Sequence, residues 1–256
     1  MKVLAIIGSP RKKGNTWKVV EKVKAHLLAM NPDIDFETLF VSECNIQICT
    51  GCFTCFSRGK EKCLLKDDRD MIEAKMLEAD GIIVAAPTYA MGVPAVMKNL
   101  IDRVAYTCHR PFLFGKAVLL VSTVGGFMGL KETLNQLTML VSGCTSIKKV
   151  GVPCPPVSMP GFEKRAEKNI RKASNAFLKD MSNPGLKAPG LGDWAWFASF
   201  KSFTDYESYQ KFAPADYEYY KDKEFFYPIR KYPFSRFSGK IMKSLMKFSM
   251  RFMVKE

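Results

Sequence analysis

Histidine is scarce in this chain of 256 residues, long apolar runs are missing, and acidic side chains are outnumbered. Neither His26 nor His109 stands at a spacing that marks a ligand partner, so neither is given a role. No apolar run approaches the roughly 20 residues that a spanning helix needs. The opening residues 1–7 are apolar but too short for a secretory signal core, and Gly8-Ser9-Pro10 ends them. The expectation is a cytoplasmic protein whose thiols stay reduced, so its eight cysteines point to metal or redox ligands rather than disulfides. Internal repeats and low-complexity tracts are also missing.

What is present describes a globular chain. The 47% hydrophobic and 25% charged residues suit one large domain or a domain with an appendage. Lys and Arg number 39 against 25 Asp and Glu, a formal charge of +14. Part of that excess lies near the end, where Arg230, Lys231, Arg236, Lys240, Lys243, Lys247, Arg251 and Lys255 face only Glu256. Such a segment fits an anionic surface, nucleic acid or phospholipid, and equally a solvated basic tail.

Short apolar runs alternate with helical patterns up to about residue 181. Strands are expected at 2–7, 35–40, 81–86, 117–122 and 146–152, and helices at 16–30, from Asp67 or Asp68 to about 79, and at 94–106, 130–141 and 162–181. Five strands separated by helices need crossover connections, which predicts an α/β doubly wound parallel sheet. Residues 1–181 would form this domain, with a cysteine-rich loop at 43–66. Residues 182–192, with Asn183-Pro184-Gly185 and Pro189-Gly190, read as a linker. Residues 193–256 read as an aromatic and basic helical extension. Within it, residues 238 onward alternate as an amphipathic helix, with Ile241, Leu245, Phe248 and Phe252 on one line, Met242, Met246 and Met253 beside it, and Lys240, Lys243, Lys247 and Arg251 in a separate stripe. Docking of this helix on its own domain or a partner copy, and docking on an anionic membrane surface, are both open at this point.

Ligands of doubly wound sheets sit at the carboxyl ends of the strands. After the first strand comes Gly8-Ser9-Pro10-Arg11-Lys12-Lys13-Gly14-Asn15-Thr16. Its backbone N–H groups and the positive helix end can take a dianionic phosphate, with Ser9, Arg11, Asn15 and Thr16 as further donors. The Gly-Lys-Ser/Thr ending of a Walker loop is lacking, and the glycine spacing is wrong for a dinucleotide fingerprint. After the third strand, Pro87-Thr88-Tyr89-Ala90-Met91-Gly92-Val93-Pro94 can wall one face of a flat ring. After the fourth, Thr123-Val124-Gly125-Gly126 permits close backbone approach.

These three segments (GSPRKKGNT, PTYAMGVPAVMKNLIDR and STVGG) resemble those of the NADPH-dependent FMN reductase family, members of the flavodoxin-like superfamily, over about residues 1–180. The resemblance implies a flavodoxin-like five-stranded sheet and FMN as cofactor. Ser9, Arg11, Asn15 and Thr16 would hold the phosphate. Pro87, Thr88, Tyr89, Ala90 and Met91 would contact the isoalloxazine, and Thr123, Gly125 and Gly126 would close the site. Asp102 and Arg103 match the family pattern, with a helix-surface ion pair as their expected role.

Cys49-x2-Cys52-x2-Cys55-x7-Cys63 is the sharpest local pattern. Thiolates suit iron–sulfur clusters and zinc, and a compact CxxCxxC run leans toward a [4Fe–4S] cluster; zinc and no metal are the alternatives. The motif and the flanking Lys66-Asp67-Asp68 are similar to the iron–sulfur flavoprotein branch of the family. Cys44, Cys108, Cys144 and Cys154 are isolated and expected to be small buried hydrophobes. The implied function is an FMN-dependent oxidoreductase relaying electrons between FMN and a cluster, with NAD(P)H or ferredoxin as donor, and a homodimer or dimer of dimers as the assembly. The rivals are a cluster-free NAD(P)H-dependent FMN, quinone or nitro-compound reductase, and a redox-sensing regulator whose basic tail binds nucleic acid, for which no recognition motif is seen. The basic tail adds a peripheral place at the inner membrane surface to the cytoplasmic expectation. No catalytic side chain is named, because hydride transfer to a flavin needs none.

Overall fold

Strands such as GIIVAA and AVLLVS carry no polar alternation, so both of their faces must be covered. The structure is a computed structural model that describes residues 1–157 and 159–253, with the side chains of 250–253 left outside the description. In chain order the elements are β1 (Lys2–Ile7), α1 (Asn15–Met30), β2 (Asp35–Phe40), α2 (Thr54–Ser57), α3 (Arg69–Glu78), β3 (Gly81–Pro87), α4 (Ala95–Arg103), β4 (Ala117–Val124), α5 (Leu130–Leu137), β5 (Ser146–Pro153), α6 (Pro160–Ser182), α7 (Leu191–Phe203), α8 (Glu207–Phe212), α9 (Pro214–Tyr220) and α10 (Pro233–Met253). The chain forms two compact units, one of Met1–Cys49, Leu65–Ala105 and Phe112–Gly185, the other of Thr50–Leu64, Tyr106–Pro111 and Leu186–Glu256.

The first unit is a five-stranded, all-parallel sheet in the order β2-β1-β3-β4-β5. This is the flavodoxin-like order, whose switch point lies between β1 and β3. Successive strand residues point to opposite faces. Leu4, Ile6, Ile82, Val84, Val118 and Leu120 pack on one face beneath α3, α4 and α5, through side chains such as Ile72, Met97 and Leu137. Val3, Ala5, Ile7, Ile83, Leu119 and Val121 pack on the other, beneath Val20 and Leu27 of α1 and Phe177 and Met181 of α6. Gly81 opens β3 because a Cβ there would stand 2.1 Å from Met181 Sδ and 2.7 Å from Phe177 Cζ.

The expected strands and helices are all present, with shifted ends. β3, β4 and β5 run one or two residues further than expected, and Pro153 closes β5 on the sheet edge, where the missing N–H costs no ladder bond. α4 and α5 stop earlier and tighten into 3-10 turns at Ala105–Cys108 and Thr138–Val141. The loop expected at 43–66 contains α2.

The second unit has its own core of Trp194, Phe197, Tyr220, Phe225 and Ile229. The aromatic stretch supplies this core because short helices separated by turns cannot bury much area with aliphatic residues alone. Its polar centre is Asp216, fully buried, which accepts a bond from Tyr209 Oη (2.8 Å), faces His109 Nδ1 (2.7 Å) and pairs with Arg110. His109, to which the sequence gives no role, is thus part of a buried charge network. Burial first, and then the bond to Asp216, push the Tyr209 hydroxyl well above its usual range. The hydroxyl of Tyr220 donates to the His109 carbonyl, Tyr219 Oη to that of Pro111 (3.1 Å) and Trp196 Nε1 to that of Cys108 (2.8 Å). Residues 106–111 are therefore stapled to the extension's helices. Replacing Asp216 with Ala leaves the Arg110 charge buried without its counter-ion, at a cost of about 3–5 kcal/mol. Hydrogen exchange should show the loss as faster exchange in α7–α9, with β1, β3 and β4 still protected.

Candidate functional site

In a parallel sheet the loops after β1, β3 and β4 leave the same edge, and three hydroxyl residues tie them together. Gly8 N–H donates to the Ala85 carbonyl (2.8 Å), which holds the first loop to β3. The Thr16 and Thr123 hydroxyls meet at 2.7 Å, both buried, and Thr88 N–H donates to the Thr123 carbonyl (2.7 Å). The Thr88 hydroxyl is 3.1 Å from that of Ser122 and 2.9 Å from that of Thr133. The structure therefore brings Ser9, Thr16, Thr88 and Thr123 to one edge, with Thr133 as a partner that sequence reasoning missed.

The first loop leads into an uncapped helix end. Gly14 stands at the N-cap of α1 and no side chain caps the helix, so its first N–H groups have no side-chain acceptor. Ser9 is buried and its hydroxyl accepts from Arg11 N–H at 3.2 Å. Arg11 and Asn15 are exposed beside the helix end, and Asn15 also lines a cleft of about 240 Å³ with Lys18, Lys22 and Cys154.

The second loop stores strain. Tyr89 and Gly92 exchange both backbone bonds (2.8 and 3.0 Å), and the residues between them, Ala90 and Met91, take φ of 45° and 68°. Left-handed backbone at a residue with a Cβ costs about 1–2 kcal/mol each, and such strain gathers at ligand sites. Pro87 is the last residue of β3, and the turn holds Tyr89, Ala90 and Met91 exposed at the edge. In the third loop nothing lies within 4 Å of where a Cβ would stand on Gly125 or Gly126. The protein's own packing does not demand glycine there. Open space beside an uncapped helix end and a strained turn fits a phosphate-bearing flat ring.

The cysteine motif is placed differently. Cys49 ends a segment of the first unit, while Cys52, Cys55 and Cys63 belong to the second. Cys52 is exposed, and the Thr54 hydroxyl, 3.3 Å from its sulfur, draws its thiol below the usual range. Positive φ at Gly51 and Phe53 brackets it. Cys55 is half-buried in α2, where its carbonyl accepts from Arg110, and Cys63 is buried. The donor chemistry suits a cluster, since four thiols are soft ligands of the kind iron–sulfur clusters take. Among the described residues no three His, Cys, Asp or Glu side chains form a group that could hold a metal ion. Cys44, Cys108, Cys144 and Cys154 are half-buried, less enclosed than expected, and burial pushes the Cys144 thiol up to about 12.

A clamp closes the base of this loop inside the first unit. Asp67 and Arg103, both buried, pair at 2.9 Å, and Arg103 also donates to the Leu65 carbonyl (3.2 Å). Asn99 accepts from Cys49 N–H (3.2 Å) and donates to the carbonyls of Ile46 and Gln47. Arg103 was expected on the helix surface with Asp102. Asp102 instead pairs with Lys98, and Arg103 turns inward because the buried Asp67 carboxylate needs a counter-charge. The i,i+4 spacing of Asn99 and Arg103, which puts both on one helix face, is the signal that could have found the clamp.

Residues 1–154 match the NADPH-dependent FMN reductase family. The chain belongs to that family. Membership supports FMN as the cofactor and an FMN-dependent oxidoreductase as the class of activity. An iron-sulfur flavoprotein of Clostridioides difficile is 29% identical over 221 residues, 82% of this chain and 95% of the relative. One of Archaeoglobus fulgidus is 40% identical over 116 residues, 45% of this chain; the matched stretch spans only about half, 51%, of that relative's length. An azoreductase from Bacillus anthracis superposes with a TM-score of 0.50 at 19% identity, covering 72% of this chain and 99% of that one. An NAD(P)H:quinone oxidoreductase from Methanothermobacter marburgensis gives 0.51 at 17%, covering 69% and 94%. These structures confirm the flavodoxin-like α/β fold.

The clamp has a pH signature. Burial raises the Asp67 carboxyl, but bonds from Arg103, Arg69 N–H and Gln47 N–H outweigh it, so it titrates below the usual range. A depressed carboxyl contributes stability above its unfolded value of about 4, which is lost as pH falls through the folded value. Arg103→Met should cost about 3–5 kcal/mol at neutral pH, and urea midpoints should show the deficit narrowing below about pH 4. Asp102→Ala, on an exposed pair, should stay within about 0.5 kcal/mol of wild type.

Proposed function

We propose that the protein is an electron-transfer reductase that takes two electrons from NAD(P)H onto FMN and passes them on singly through a [4Fe–4S] cluster on Cys49, Cys52, Cys55 and Cys63. The observation that carries the FMN half is the uncapped α1 end facing the same sheet edge as the strained Tyr89–Gly92 turn and the open glycines 125 and 126. When bound, FMN supplies a ring that accepts a hydride and releases electrons one or two at a time. The α1 N–H groups, Ser9, Arg11, Asn15 and Thr16 hold its phosphate. Pro87, Thr88, Tyr89, Ala90 and Met91 wall the ring, and Thr123, Gly125 and Gly126 let the backbone approach its edge. No protein acid or base is required, so positioning is the protein's contribution.

The cluster half rests on the thiol spacing, the low-titrating Cys52 and relatives that carry the name iron-sulfur flavoprotein. A second reading is a cluster-free NAD(P)H-dependent FMN, quinone or nitro-compound reductase, which calls on the FMN site alone. Ferredoxin is the alternative donor in the first reading. A homodimer or dimer of dimers belongs to both, supported by the exposed Tyr89, Met91, Phe127 and Met128 around the loop edge.

Arg11→Ala should weaken FMN by about 1.5–3 kcal/mol, the range for a lost charged hydrogen bond, and leave riboflavin affinity nearly unchanged. Equal losses for both would overturn the phosphate site. Iron and sulfide assays of anaerobically reconstituted protein should find a cluster that Cys52→Ala removes while FMN stays bound and Cys144→Ala keeps. Iron-free wild-type protein after reconstitution would leave the cluster-free reading standing.

A further inference from the structure

Helix α10 is two-sided, and its more apolar side is the one turned away from its own core. Its inner side packs within the second unit. A Cβ on Gly239 would stand 2.3 Å from Trp194 Cζ2, so the helix backbone lies directly on that ring. Trp194 Nε1 donates to Ser235 Oγ (3.0 Å), and Met242 packs against the aromatic core. Lys243, expected in the exposed basic stripe, is instead turned inward, with Nζ 5.3 Å from the Trp194 ring, 5.1 Å from Phe197 and donating to the Glu224 carbonyl (2.6 Å). With core contacts already made on this side, the line of large apolar residues on the opposite side is left largely exposed.

That line is Phe234 (90% exposed), Phe237 (66%), Ile241 (48%), Leu245 (59%) and Phe248 (60%). At 100° per residue all five fall within about 40° of Ile241, and Lys240 and Lys247 lie about 100–120° to one side. Lys240 is exposed, as are Arg230 and Lys231 just before the helix, and Lys247 reaches Asp205 (3.0 Å). No acidic residue occurs between Glu224 and Glu256, a stretch with eight Lys and Arg. Phe252, Arg251, Met253 and Lys255, which the sequence pattern assigns to the same helix, have side chains outside the described residues. Among the described residues no helix is long and apolar enough to cross a membrane.

We propose that α10 docks the protein on an anionic phospholipid surface. Phe234, Phe237, Ile241, Leu245 and Phe248 enter the acyl boundary, while Arg230, Lys231 and Lys240 meet the headgroups. A helix lying in the interface plane needs an apolar face and a cationic flank, and both are present on the side that the core leaves uncovered. A second copy is the rival occupant. It would set the exposed Arg230, Lys231 and Lys240 of two copies beside each other, whereas an anionic bilayer complements them.

The test is co-sedimentation of the full-length, FMN-loaded protein with phosphatidylcholine vesicles, with and without phosphatidylglycerol. The protein should pellet only with the anionic vesicles and be released by high salt, which screens the headgroup attraction. Leu245→Glu and Phe248→Glu, both at exposed positions, should each weaken partitioning about tenfold or more while flavin content and melting temperature hold. Lys231→Glu with Lys240→Glu should lower binding to the anionic vesicles further. Binding that ignores phosphatidylglycerol, or that survives the two glutamates, would overturn the proposal. So would light scattering in which wild type is a dimer that Leu245→Glu splits, because a second copy would then cover the face.

Discussion

The contact between the Thr16 and Thr123 hydroxyls, 2.7 Å apart and closed to solvent, is the point through which the candidate site is assembled. Thr16 belongs to the first turn of α1, which follows β1, and Thr123 to the end of β4; β1 and β4 are separated in the sheet by β3. The Thr123 carbonyl reaches across to Thr88, so three loops that could move independently share one residue. A buried hydroxyl pair is worth only about 1 kcal/mol in net stability. Its greater effect is on geometry, because either hydroxyl left alone in that position would be an unpaired buried dipole. The loops are therefore held close together by the protein's own hydrogen bonds, and the strain in the Ala90–Met91 turn rests on that scaffold.

Charge is arranged by the same logic at two other places. Asp67–Arg103 in the first unit and Asp216–Arg110 in the second are both buried pairs, and each arginine donates to backbone carbonyls beside the cysteine motif. Desolvation makes a buried pair a poor source of net stability but a strong constraint on what may replace it. Main-chain carbonyls of the cysteine loop are thus tied down at Leu65 in the first unit and at Cys55 in the second. The exposed Cys52, whose thiol the Thr54 bond draws below the usual range, stands between two residues of positive φ.

The second unit shows why an appendage can be aromatic-rich without being an interface on that ground. Trp194, Phe197, Tyr220 and Phe225 are consumed in its own core, and burial accounts for the raised hydroxyls of Tyr209, Tyr219 and Tyr220. Among the large apolar side chains this core leaves exposed, the outward line of α10 stands on one helix face, with Leu191, Trp196 and Phe212 scattered elsewhere in the unit.

The sequence by itself determined the sheet, because uninterrupted apolar strands and helical spacing between them admit few topologies, and it determined the three loops, because glycine, hydroxyl and proline residues fall where strands end. It also announced the α10 periodicity, which is a local property of a helix. Tertiary structure alone decided which side of α10 faces the core: Ser235, Gly239, Met242 and Lys243 fit the Trp194 surface, and neither hydrophobicity nor charge along the chain ranks that fit above the more apolar line. It decided likewise that Arg103 leaves its neighbour Asp102 for Asp67, 36 residues away, and that His109 and Arg110 meet Asp216. Partner choice among charged side chains depends on which carboxylates the fold removes from water, and burial is a property of the packed chain, not of the string of residues.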